Sequence, residues 1–436
     1  MSFQQKKRSK LDALQNIAIT VLTVTAVLLF LRTQLYTIAP DGGALETLLG
    51  GPTTAPDYST AVTSAELRAP VRVAVSGDKT YGRYGSVTTT TADESFAPLK
   101  TFLQEALGSA HSFTVSDEDA FFTALDRPSI YYDFLEPLPL SVLSGLVAGT
   151  SGEEHRSARQ LVLSAAEDDT VQLVLCDGEG MYYQCQTAIA GSDLTGVVNL
   201  FELGSGYFAF DYTVLSDHYR RIAPTSLFLE PLPQLPTLSV STDLPDESSL
   251  LEELGFNPHT NSRYTEANGT EVVVEGDLSV RFLPDGTIRY KGSDSEANET
   301  RLTVESAGEI PTLQEAASGT CDLLNQLLAS YPSDASLYLL KIQRSGSTTT
   351  LYFDYQSGGI PIRQASGVPA AEVQLNGRRV SSLNLLLRQY TAGTDTSLLL
   401  PMKQTIAIAA RQEGKELLIG YTDNGSDTSS AAWLLD

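Results

Sequence analysis

Hydrophobic positions fall into three patterns along this chain. Residues 13–31 form one uncharged, mostly apolar run from Ala13 to Leu31, closed by Arg32. At 1.5 Å per residue this run makes a helix of about 28 Å, close to the ~30 Å hydrocarbon core of a bilayer. Elsewhere apolar residues recur either at helical spacing or in alternation. Between Leu67 and Leu227 these patterns predict a strand at Val71–Val75, then a helix capped by Asp93 with Phe96, Leu99, Phe102, Leu103 and Leu107 along its inner side. A short helix at Asp117–Leu125 follows, then a strand at Ser129–Phe134 that leads through Pro137-Leu138-Pro139 into a helix holding Val142, Leu143 and Leu146. Gln160–Ser164, Thr170–Cys176 and Met181–Thr187 alternate and are separated by Asp/Gly turns, as in an antiparallel meander. A helix at Leu194–Leu203 and a strand at Tyr207–Tyr212 complete the region.

Phe228–Asp243 holds Pro231, Pro233 and Pro236 in an extended run, which reads as a linker or an edge strand. Beyond it come a short helix at Ser248–Leu254 and four strands: Arg263–Glu266, Glu271–Glu275, Ser279–Leu283 and Thr287–Lys291. Asn268-Gly269 and Pro284-Asp285-Gly286 supply hairpin turns. After Ile310-Pro311-Thr312, a helix carries Leu313, Ala316, Ala317, Cys321, Leu324, Leu327 and Leu328 on one side. Strands then read at Leu337–Gln343, Thr350–Gln356, Ala371–Leu375, Arg378–Tyr390 (this one open to a break) and Glu416–Asp423, with a helix at Ile406–Gln412. Trp433 reads as a docking aromatic rather than a ligand-binding one.

Helices laid on antiparallel sheets define an α+β fold, expected as one N-terminal transmembrane helix followed by two or three α+β domains. The expected divisions are a cytoplasmic tail (1–12), the membrane helix (13–31), a flexible Gly/Pro/Thr tether (32–66), a first α+β domain (67–227), a Pro-rich linker (228–245), a small β-meander domain (246–305) and a C-terminal α+β domain (306–436).

Charge gives the N-terminal run its meaning. Lys6, Lys7, Arg8 and Lys10 precede it, which keeps the N-terminus cytoplasmic and places everything after Arg32 outside the cell. A secretory signal shares the basic start but has a shorter apolar core and a small-residue cleavage site; here Arg32-Thr33-Gln34-Leu35-Tyr36 follows, without such a site. A lipoprotein needs a cysteine just after the run, and the first is Cys176. An uncleaved single-pass anchor in the cell membrane is the reading that fits. Asn16, Thr20 and Thr23 share one helical face. They form either a docking stripe for another transmembrane helix, or a face whose threonines bond their own backbone while Asn16 lies among the headgroups.

The whole chain carries −24, while residues 1–32 hold five basic residues and one acid, leaving −28 for the rest. Such a surface excludes broad contact with nucleic acid or anionic wall polymer, and it suits a solvated extracellular body with a basic protein partner. Three cysteines are too few for a disulfide framework. With Cys176 paired to Met181 across a hairpin, Cys185 falls opposite Gln172, out of bridging reach, so all three read as small buried hydrophobes.

The chain from Asp246 to Asp436 resembles the extracellular regulators YycH and YycI of Gram-positive bacteria. The matching pieces are Tyr264, Asn268-Gly269, Val272-Val273-Val274-Glu275 and Pro284-Asp285-Gly286-Thr287-Ile288-Arg289-Tyr290, followed by the long helix and Thr350-Leu351-Tyr352-Phe353-Asp354-Tyr355. Gly358-Gly359-Ile360-Pro361-Ile362, Ala371-Glu372-Val373-Gln374-Leu375-Asn376-Gly377-Arg378-Arg379-Val380, Leu417-Leu418-Ile419-Gly420-Tyr421 and Trp433 complete them. Ile130-Tyr131-Tyr132-Asp133-Phe134 and Pro139-Leu140 resemble the first domain of YycH more loosely. The resemblance implies a protein that sits beside a sensor histidine kinase controlling cell-wall remodelling, together with a related anchored regulator, and acts through transmembrane and extracellular contacts. The long tether departs from that arrangement.

No histidine, nucleophile-elbow or phosphate-loop motif stands out in the sequence. His111, His155, His218 and His259 each stand alone in polar contexts, and no nucleophile elbow, phosphate loop or zinc spacing occurs. Asp117-Glu118-Asp119, Asp168-Asp169 and Glu252-Glu253 read as solvated turns or helix starts. No cofactor or metal is implied, and the chain reads as a regulator rather than an enzyme. The alternatives are an anchored envelope enzyme or inhibitor, which needs a polar cleft with convergent acids, and a receptor for wall fragments or peptides, which needs an apolar pocket.

Overall fold

The computed structural model describes residues 70–436 apart from 78–81, 89–93, 151, 153–154, 213–215, 243–246, 261, 293–301 and 330. The apolar run at 13–31, with Asn16, Thr20 and Thr23, lies outside the described residues, as do the tether and Asp93. No helix among the described residues is long and apolar enough to cross a membrane.

The fold is α+β on antiparallel sheets. The first sheet uses β1 (Arg72–Ser76), β2 (Arg83–Ser86), β3 (Thr114–Ser116), β4 (Ser129–Pro139), β5 (Ser157–Ala165), β6 (Thr170–Cys176), β7 (Tyr182–Ala190), β8 (Gly206–Phe208) and β9 (Leu227–Leu229), in the order β3-β7-β6-β5-β4-β1-β2-β8-β9. Three helices pack on it: α1 (Phe96–Ser109), α2 (Glu118–Leu125) and, following the turn Leu140–Leu143 (α3), α4 (Gly191–Val198). Asp117 caps α2 by accepting the Ala120 N–H at 2.9 Å, so the acidic triplet forms a helix start. Ala158 and Leu161–Leu163 are buried on both faces of β5, as befits a strand in the middle of a covered sheet.

The second sheet collects β11 (Arg263–Thr265), β12 (Glu271–Glu275), β13 (Leu278–Phe282), β14 (Thr287–Lys291), β15 (Ser336–Ser345), β16 (Thr348–Ser357), β17 (Ile360–Gln364), β18 (Ala371–Asn376), β19 (Arg379–Leu386), β21 (Leu417–Asp423) and β23 (Ala431–Leu435). The meander is not set apart: β14 pairs with β19 from Thr287↔Leu386 to Lys291↔Ser382, so one sheet spans residues 263–435. A third, short sheet places β10 (Pro236–Ser241) between β20 (Gln389–Thr396) and β22 (Thr428–Ser429). The proline-rich stretch is therefore partly a paired strand. Helix α5 (Glu247–Glu253) precedes the meander, and α6 (Leu313–Leu328) lies on the large sheet against β15 and β16. A capping box opens α6: Thr312 Oγ1 accepts the Glu315 N–H at 3.1 Å, and the Glu315 carboxylate accepts the Thr312 N–H at 2.8 Å. Its Ala316, Ala317, Cys321, Leu324, Leu327 and Leu328 are buried. Helix α7 (Met402–Ala409) completes the fold. One buried core runs continuously from Val71 to Ala431.

Several boundaries differ from the sequence reading for physical reasons. Strand β4 continues to Pro139 because Leu135 takes a left-handed backbone (φ 67°) and forms a bulge that the two prolines, lacking N–H donors, can follow. The chain after Phe208 turns into a 3-10 segment (Ala209–Tyr212) instead of staying extended, because Asp211 accepts the Phe208 N–H at 2.9 Å. The run to Tyr390 breaks at Leu387-Arg388, where Arg388 reaches out to the Asp285 carbonyl at 2.6 Å and to Asp423 at 3.1 Å. The helix expected at Ile406–Gln412 starts earlier, at Met402, after Pro401. Cys176 pairs with Tyr182 rather than Met181, because the Asp177 carboxylate accepts N–H groups of Glu179 and Met181 and lengthens the turn. Cys185 therefore faces Leu173, three positions from Cys176 and on the other side of the sheet. All three cysteines are free and buried.

Strand β8 joins the first sheet where two glycines meet. A Cβ on Gly206 would lie 2.6 Å from the Gly85 nitrogen and 2.7 Å from its Cα, both immovable backbone atoms. Gly206→Ala is expected to lower stability by ~1–3 kcal/mol in urea melts. Gly196→Ala in α4, where a Cβ meets nothing within 4 Å, is expected to leave stability unchanged or raise it by up to ~1 kcal/mol.

Candidate functional site

Charged residues set inside apolar strands are the most unusual feature of the described chain. Arg72 sits in β1, Asp133 in β4 and Arg159 in β5, while Glu416 immediately precedes β21 in the second sheet. Arg72 and Asp133 are register partners across β1 and β4. Arg72 Nη2 bridges Asp133 and Glu416, and Arg159 donates Nη2 to Glu416 and Nε to Asp133 at 3.3 Å. Asp133 also accepts the Tyr131 hydroxyl at 3.0 Å and the Leu135 N–H at 2.7 Å. Arg72, Asp133 and Glu416 are buried, and Arg159 is nearly so. Two cations and two carboxylates thus cancel inside the protein, at the junction of the two large sheets.

The electrostatics follow from this geometry. Burial pushes the Asp133 carboxyl toward its neutral form, but Arg72, Arg159 and the Leu135 N–H outweigh that and hold it at about 2. Burial alone would make Arg72 and Arg159 easier to deprotonate, and the two carboxylates reverse that, raising both. None of the four lines the clefts beside Arg83 and Tyr207, and each carboxylate is bridged by guanidinium groups. The arrangement joins the two sheets.

The same bulge in β4 makes a second junction. Glu136 stands 3.8 Å from Arg363 of β17, which also pairs with Asp354 at 2.8 Å and lies 3.7 Å from Asp436. Burial raises the carboxyls of Glu136 and Asp354, against the pull of Arg363. A third buried pair, Arg388 with Asp423, takes in the Tyr390 hydroxyl at 2.8 Å.

Two of the solvent-open clefts among the described residues are walled by aromatic side chains. The first, about 430 Å³, lies beside Arg83, Asp126, Asp211 and Tyr212. Its guanidinium is fully engaged: it makes a two-point contact with Asp211 at 2.8 Å for each bond, donates to Ser76 Oγ and to the Leu125 carbonyl, and lies over Phe208 and Phe210 at 5.1 and 5.0 Å. The second, a groove of about 620 Å³, has walls of Tyr207, Tyr219, Leu229, Leu232 and Met402, with Glu230 and Lys403 at its rim. A small apolar cluster supports it, with Phe228, Ile222, Ile406 and Leu417 buried and Trp433 packed alongside. Trp433 Nε1 donates to the Leu400 carbonyl at 3.0 Å, a docking role.

The four histidines are exposed and far apart in sequence. Among the described residues no group of three His, Cys, Asp or Glu side chains is placed to hold a metal ion. The sequence reading did not single out Arg72, Asp133, Arg159 or Glu416. The available signal was a charge embedded in each of Val71-Arg72-Val73, Tyr132-Asp133-Phe134, Ala158-Arg159-Gln160-Leu161 and Glu416-Leu417-Leu418. Comparison with protein-family models, with curated proteins and with solved structures returned no match.

Removing one carboxylate from the buried quartet leaves a surplus cation in the interior. Glu416→Gln is expected to cost ~3–5 kcal/mol in chemical denaturation. An acid titration of wild-type stability probes Asp133. Its carboxyl is held below its unfolded value of 3.8, so it contributes stability above about pH 4 that is lost as pH falls through 2. The expected loss is on the order of 2 kcal/mol, and Asp133→Asn is expected to flatten that part of the profile.

Proposed function

We propose that this chain is a membrane-anchored extracellular regulator that modulates a sensor histidine kinase of cell-wall homeostasis through protein–protein contacts. The observation that carries the reading is the N-terminal pattern: four basic residues, then an uncharged run long enough to span a bilayer, then an acidic bulk. The resemblance of residues 246–436 to YycH and YycI supplies the partner class, the kinase and a related anchored regulator. The buried ionisable groups also favour a binding role, because they are spent on one another. Asn16, Thr20 and Thr23 are the proposed contact with the partner's transmembrane helix.

The test is co-purification from membranes. The full chain is expected to retain a histidine kinase, and replacing residues 13–31 by an unrelated apolar helix is expected to lose most of it. Asn16→Leu with Thr20→Val and Thr23→Val is expected to weaken retention while leaving the protein in the membrane. Full regulation with a foreign anchor would refute helix docking. Mature protein beginning beyond Leu31 and free of the envelope would refute the anchor itself.

A further inference from the structure

The groove beside Tyr207 has a ridge next to it. Leu398 is 95 % exposed, more than any other large apolar side chain among the described residues, and Leu400 and Ile408 stand at 50 % and 51 %. In α7, Thr405, Ile406 and Ala409 are buried, Ile406 and Ala409 in the cluster around Phe228 and Ile222, which leaves Ile408 and Lys403 facing outward. Ridge and groove meet at Pro401 and Met402, which line the groove and directly follow Leu400.

Charge selects the occupant. The chain carries −24, so two copies repel over most of their surface. At the groove, however, opposite charges balance: Glu230 and Lys403 both line it, and Arg220, next to Tyr219 of its wall, pairs with Asp217 at 3.6 Å. The strip at 220–223 is tied to this face by backbone hydrogen bonds from Gly414 to the Arg221 carbonyl (2.8 Å) and from Ala223 to the Lys415 carbonyl (2.9 Å). A strongly acidic or basic partner finds little to complement here. A second copy does find complementarity: an apolar ridge for its groove, and a groove for its ridge. Glu230 and Lys403, at the groove rim, have no ion-pair partner among the described residues.

We propose that this face binds a second copy of the chain in a two-fold symmetric dimer. The ridge of Leu398 and Leu400 fills the partner's groove, and Glu230 of each copy pairs with Lys403 of the other. A two-fold contact is self-complementary, so each element is used twice. The apolar ridge and groove form the desolvated centre and the mixed charges the rim, as in stable interfaces of ~800 Å² per partner. The proposal concerns the folded body and does not depend on the kinase reading.

Sedimentation velocity of the full chain in detergent tests it. The wild type is expected to show a concentration-dependent dimer, and Leu398→Asp is expected to raise the dimer dissociation constant at least tenfold. Glu230→Lys and Lys403→Glu are each expected to weaken the dimer several-fold, and the double variant is expected to recover most of the loss. All these positions are exposed, and unchanged thermal melts verify folding. A wild type that stays monomeric at every concentration up to about 100 µM, which bounds the dimer Kd above that value, overturns the proposal. So does a dimer indifferent to Leu398→Asp, as an anchor-mediated dimer would be, or a double variant no better than either single one.

Discussion

Asp133 must satisfy two guanidinium groups, a tyrosine hydroxyl and a backbone N–H at once, and the fold is arranged so that it can. Its bond to the Leu135 N–H holds the bulge of β4, where the register with β5 is interrupted between Asp133 and Leu138. The bulge re-aims the strand, so that Asp133 meets Arg72, Arg159 and Glu416 while Glu136, three residues on, meets Arg363. A regular strand would serve one junction. The irregular one serves two, and both cross from the first sheet to the second. Burying four charges is costly unless every one is answered, so the position of Glu416 is fixed as tightly as any core side chain.

The two sheets divide the labour differently. In the first, helices cover the central strands and the apolar runs are nearly continuous. In the second, Val280, Ile288, Val373, Leu383 and Leu351 are buried, with α6 packed against β15 and β16, while Arg281, Arg289 and Lys291 are exposed. That contrast fits the clean alternation of β13, β14 and β18 beside the continuous buried runs of the first sheet.

Much of the fold was legible. Strands β11 to β16, β18 and β21 came within a residue or two of their observed limits, whereas β17 and β23 were not read as strands and β19 ends at Leu386, short of the expected Tyr390. Asn268-Gly269 and Pro284-Asp285-Gly286 form turns, with Gly269 and Gly286 at φ 86° and 84°. What local pattern could not carry was long-range pairing. The parallel contact of β17 with β21 joins residues some sixty positions apart. The break at Arg388 depends on Asp285 and Asp423, both distant in sequence. Pro137 and Pro139 pointed to the end of a strand, yet the bulge let the strand absorb them. The charged quartet was hidden for the same reason: each member is unremarkable in its own segment, and only the assembled sheets bring the four together.

Glu416 lies 344 residues after Arg72. A ribosome therefore releases Arg72, Asp133 and Arg159 long before the carboxylate that balances them exists, and until then the nascent first sheet holds one positive charge too many for a dry interior. Its strands can pair early, but that corner has to stay hydrated while the remainder is synthesised. The final closing of the first half thus waits on the second, and folding of the whole body is timed by a residue translated near the end of the described chain.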